Sequence, residues 1–151
     1  SRRQRRIRTR CRARWRLQRG GGIAGVISDN DVNNRLRFIK HKGQAIFFLD
    51  FSHCQGKDMV VLLEQARADI ARHAPGSVRT LADFSGAKID KAVATKIKEV
   101  LVRDRPYVKK SAWVGVNSLP HVFFENFKTF SQRDFPSFET REEAMDWLVK
   151  D

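Results

Sequence analysis

From residue 35 onward the apolar positions switch between two periods. Residues 35–40 alternate, with Leu36, Phe38 and Lys40 on one side, and read as a first strand. His41-Lys42-Gly43-Gln44 is a turn, so this strand and the next form a hairpin. Residues 45–51 are almost continuously apolar, the pattern of a strand buried on both faces. After a loop at 52–56, Met59, Leu62, Leu63, Ala66 and Ile70 recur at helical spacing and predict a first helix over 57–74, stopped by Pro75-Gly76. A third strand spans 77–84. Asp90 is the expected N-cap of a second helix, which carries Val93, Ile97, Val100 and Leu101 inward and ends before Pro106. A fourth strand covers 107–117, with Val108, Ala112, Val114 and Val116 as its core positions. A third helix over 120–130 places Phe123, Phe127 and Phe130 on one stripe. A short fifth strand follows at 135–138. Thr140-Arg141-Glu142-Glu143 is a capping box in front of a last helix bearing Ala144, Trp147 and Leu148.

The resulting order, β-β-α-β-α-β-α-β-α, predicts an α/β domain over residues 35–151. Its expected sheet is five-stranded and mostly parallel, with an antiparallel first strand and four helices. Residues 27–34 (Ile-Ser-Asp-Asn-Asp-Val-Asn-Asn) are rich in turn formers and read as a polar linker. A body of this length buries roughly two thirds of its surface, enough for a core without staples.

Charge changes the picture at one end only. The 151 residues carry a formal net charge of +13. Ten arginines and no acid lie within residues 1–22, and the remainder holds 20 basic against 17 acidic side chains. The high basicity belongs to a tail, residues 1–26. One reading is an arginine-rich arm that neutralises phosphates and stacks Trp15 on a base, the only route to nucleic acid in this chain. The other is a non-native leader: the stretch has no apolar period, Arg19-Gly20-Gly21-Gly22 matches the translation of G-rich DNA, and Val26 fits a GTG start. The 41% hydrophobic content excludes a disordered chain. No apolar run approaches the ~18 residues of a membrane span, and the expected location is the cytoplasm. Two cysteines, Cys11 and Cys54, are too few for a disulfide scaffold.

Candidate chemistry is sparse. His53-Cys54 follows the second strand, at the sheet edge where α/β folds favour ligands. Adjacent residues of an extended segment point apart, however, so a surface imidazole beside a partly buried thiol is favoured over a nucleophile–base pair. His41, His53, His73 and His121 show no metal-ligand spacing. Asp50 and Asp83 end neighbouring strands. They read as acceptors for the amides of the following loops, in preference to a catalytic carboxylate pair. Among eleven phenylalanines, Phe124 falls off the third-helix stripe and, with Phe135 and Pro136, is the candidate mouth of an apolar pocket. His53, Cys54 and Phe124 are thus the candidate ligand edge. No catalytic residue, cofactor or metal is assigned.

Several segments carry a resemblance. These are Phe48-Leu49-Asp50-Phe51-Ser52, the stretch from Ser77 to Ala87, Arg105-Pro106-Tyr107-Val108-Lys109-Lys110-Ser111-Ala112, Val114-Gly115-Val116, and Phe138-Glu139-Thr140-Arg141-Glu142-Glu143-Ala144 with Trp147-Leu148. Together they resemble the SpoIIAA-like (STAS/CRAL-TRIO-like) family of small bacterial proteins. The resemblance implies a (βα) superhelix with nearly sequential strand order. It also implies a role in binding another protein, since the best-understood relatives are anti-sigma-factor antagonists. Those are switched by phosphorylation of a serine in an Asp-Ser-Ser-Gly-Leu pattern at the start of the second helix. The corresponding stretch here is Asp90-Lys91-Ala92-Val93, which keeps the acid and lacks the serines. The expected contact face is Ser85, Gly86, Asp90, Lys91 and Thr95. The leading expectation is a non-enzymatic interaction module with a protein partner. The alternatives are a carrier of a small apolar or lipid-like ligand, as the CRAL-TRIO resemblance suggests, and nucleic-acid binding through residues 1–26.

Overall fold

A computed structural model describes residues 27–150. The arm and leader readings of residues 1–26 lie outside them. Helix α1 (Asp29–Arg35) leads into a hairpin of β1 (Leu36–His41) and β2 (Gln44–Asp50). Then follow α2 (Gly56–Ile70), β3 (Val78–Asp83), α3 (Lys91–Asp104), β4 (Val108–Val114), a 3-10 turn (Val116–Ser118), α4 (His121–Ser131), β5 (Ser137–Phe138) and α5 (Arg141–Leu148). The five strands form one sheet in the order β1-β2-β3-β4-β5. β1 is antiparallel to β2 and every other pair is parallel. The α/β class and the mixed five-stranded sheet therefore match expectation, and among the described residues there are five α-helices, not four.

The additional helix replaces the linker expected at 27–34. Ser28 caps α1 by accepting from the Asp31 amide at 3.2 Å, Asp29 and Asp31 lie in its first turn and Arg35 in its last. Asp and Asn favour turns and helix starts for the same reason, a short side chain that bonds nearby amides. Here the charges also complement the helix dipole, and Val32 anchors the helix in the core.

The sheet separates two apolar layers. Phe47, Leu49, Ala82 and Trp113 face α2, α3 and α4, while Ile46, Phe48, Leu81, Ala112 and Val114 face α5 through Ala144 and Leu148. Successive parallel crossovers that step in one direction with one hand place their helices on one face. α5 is the cover of the other. Its capping box is formed: the Thr140 hydroxyl accepts from the Glu143 amide at 3.1 Å, and the Glu143 carboxylate accepts from the Thr140 amide at 3.3 Å. At its C-terminal end, Arg79 donates to the Leu148 carbonyl at 2.9 Å and Lys110 to those of Trp147 and Lys150 at 2.8 Å each.

Two local expectations are corrected. β4 stops at Val114 because Gly115 takes a left-handed φ of 74° and turns the chain into the 3-10 turn. In α4 the buried stripe is Phe124, Phe127 and Ser131, not Phe123, Phe127 and Phe130. Trp113 stacks on Phe135 at 4.4 Å and meets Phe124 at 5.5 Å, which draws Phe124 into the core and leaves Phe130 58% exposed. Phe124 therefore packs in the aromatic cluster with Trp113 and Phe135.

Phe127→Ala should cost about 3–5 kcal/mol, because it opens a void in a filled aromatic cluster. Phe130→Ala should stay within about 0.5 kcal/mol of the parent. Urea unfolding of the two variants checks the assignment.

Candidate functional site

The C-terminal ends of β2, β3 and β4 lie side by side, and the loops leaving them are sewn together. In the parallel register Asp50 is level with Asp83. Each carboxylate turns onto the loop that follows. Asp50 accepts from the Ser52 amide at 3.0 Å and from the Ser52 hydroxyl, and Asp83 accepts from the Ser85 amide at 2.8 Å. These are the loop-amide bonds expected of both acids. Two arginines missed in the sequence complete the group. Arg35 donates to the carbonyls of Asp50 and Ser52 at 3.0 and 2.8 Å. Arg141, the first residue of α5, binds Asp83 at 2.7 Å, approaches Asp50 at 3.8 Å and lies over the Phe48 ring at 4.5 Å. Asp83 and Arg141 are 58 positions apart, so no local pattern could have paired them.

Burial opposes ionisation of Asp83, but hydrogen bonds from Ser85 and the charge of Arg141 outweigh it and hold its carboxyl below the ordinary value. The arrangement is a structural ion pair at a loop junction. Both acids are engaged by loop amides and guanidinium groups.

The loops also bond directly. The His53 amide donates to the Ser85 carbonyl at 2.8 Å, the Lys88 amide to the Cys54 carbonyl at 2.9 Å, and the Gly86 amide to the Ser118 hydroxyl at 2.7 Å. Gly86 is left-handed, and a Cβ there would overlap the His53 ring. A Cβ at Gly115 would overlap the Ser85 backbone and hydroxyl. The sequence-predicted ligand edge and contact face are thus brought partly together: His53, Ser85 and Gly86 meet in one exposed platform. Cys54 turns the other way into the core, where burial pushes its thiol up against the opposing pull of Arg35. Phe124 is not part of the platform and packs against Trp113, at the end of the Phe51–Phe84–Trp113 row of rings.

Asp90 caps α3 by accepting from the Val93 amide at 2.8 Å. Lys88, Lys91 and Thr95 are exposed beside it, with the Thr95 hydroxyl donating to the Lys91 carbonyl at 3.0 Å. Among the described residues, no group of three or more His, Cys, Asp or Glu is arranged to hold a metal ion. No helix there is long and apolar enough to cross a membrane. No family model, curated protein or solved structure matches the chain.

Arg141→Gln should lower stability by about 1–2 kcal/mol at pH 7, less than for a fully buried pair because Arg141 is half exposed. The folded-state value of Asp83 is depressed, so its contribution is present above the unfolded value of 3.8 and lost as pH falls through the folded one. The gap between parent and Arg141→Gln should therefore narrow below about pH 4 in chemical denaturation across pH.

Proposed function

We propose that this chain is a non-enzymatic protein-interaction module of the SpoIIAA-like/STAS type. It docks a protein partner through the loop at 84–90 and the first turns of α3. The observation that carries the reading is the cross-bonded platform. Ser85 and Gly86 are tied to His53 and Ser118, so the loop is presented in one conformation and little ordering cost remains at docking. Lys88 and Lys91 stand exposed at its rim, and the partner surface they fit is acidic.

Lys91 and Ala92 stand where the resembling family carries its two serines, so docking here is not gated by phosphorylation at those positions. The nearest hydroxyl on the helix, Thr95, donates to its own helix backbone. A carried ligand finds no room in the cavity lined by Phe51, Phe84 and Trp113, which measures about 40 Å³ against the ~300 Å³ or more of small-molecule pockets.

The test compares the tagged full chain with a Lys88→Glu, Lys91→Glu, Thr95→Glu variant in capture from a bacterial lysate. The parent should retain a stoichiometric partner that the variant loses by tenfold or more, with unchanged circular dichroism. Capture of the same protein at the same stoichiometry by both, or of none by the parent, refutes the reading.

A further inference from the structure

Asp104 ends α3 on its buried side, at i+7 from Ile97 on the stripe that also carries Val93 and Val100. It is 5% exposed, and its Oδ1 atom has no hydrogen-bond partner among the described residues. Native folds rarely leave a buried carboxylate oxygen in that condition. Alongside it, between the sheet and α3, lies the cavity of about 40 Å³. Its polar lining is Asp104, Arg133, Thr80 and Ser111, and the rest is apolar.

Arg133 enters from the connection after α4. It donates to the Leu101 carbonyl at 3.2 Å and to the Ser111 hydroxyl. Ser111 and Thr80 share a further bond at 2.7 Å. A cavity of this size has room for about two waters, and a carboxylate, a guanidinium and two hydroxyls supply the partners that internal water requires.

We infer that this space is a hydrated chamber in which water joins Asp104 to Arg133, and that Asp104 takes up a proton there, within the folded protein, on mild acidification. The charged groups facing Asp104 are Arg133 and, from α2, Arg67. Arg105 is turned away, donating to the Ser131 carbonyl at 3.1 Å and towards the Gln132 side chain at 3.4 Å. From the sheet come only the neutral hydroxyls of Thr80 and Ser111 among the cavity's polar groups.

Burial dominates and raises the Asp104 carboxyl to about 6, with Arg133 and then Arg67 opposing. Its place at the last residue of α3, at the negative end of the helix dipole, acts in the same direction as burial. The folded value lies above the unfolded one of 3.8, so the folded state holds the extra proton between the two. The stabilisation is fully present below about pH 4 and is lost as pH rises through about 6.

Three measurements on the full chain test this. The Asp104 carboxyl carbon, followed by NMR in the folded protein, should titrate with a midpoint near 6, and a midpoint below about 4.5 overturns the proposal. Between pH 4 and 7 the urea-unfolding constant of the parent should rise about fiftyfold relative to Asp104→Asn. Parallel pH profiles overturn it, and if that variant does not fold the carbon titration decides. Cross-relaxation from water to the Val100 and Leu101 methyl groups should be present, and its absence makes the chamber dry and overturns the bridge.

Discussion

The carboxylate of Asp83 sits where three separated parts of the chain meet. β3 is central in the sheet, so its end is covered on both faces and the side chain has little access to water. A charge in that position is tolerable only with partners on both sides. The following loop provides one through the Ser85 amide, and α5 provides the other through Arg141. The same contact therefore sets the path of the 84–90 loop and the point where α5 lands. With the loop placed, Ser85 meets His53 and Gly86 meets Ser118. With α5 placed, Ala144 and Leu148 fall onto the second apolar layer.

That dependence explains which parts of the structure were legible in the chain. The strands and helices of the body follow from periodicity, and local caps such as Asp90 and Thr140 follow from side chains that bond amides three residues away. The Asp50 and Asp83 turns are local for the same reason. Arg141 was not legible, because its partner is remote in sequence and its immediate context, Thr140-Arg141-Glu142-Glu143, is fully explained as a helix start.

Two other misses have a different origin. In α4, Phe123/Phe127/Phe130 and Phe124/Phe127/Ser131 are both acceptable helical stripes, and the choice is made by Trp113 and Phe135, which belong to other elements. Asp104 did leave a signal: an acid at i+7 from Ile97, in the final turn where a helix favours cations. A charge on an otherwise apolar stripe marks a buried polar interior, and the platform at the strand ends offered no hint of it.

The sequential strand order also governs how the chain acquires structure as it is made. The hairpin, then each strand with its crossover helix, can pair with a neighbour already synthesised, so the layer containing Phe47, Leu49 and Ala82 closes progressively. The opposite layer cannot. Ile46, Phe48, Leu81 and Ala112 wait for a helix that begins only at Arg141. A nascent chain that stalls before that point presents a bare apolar sheet face, and chaperones and self-association would act there first.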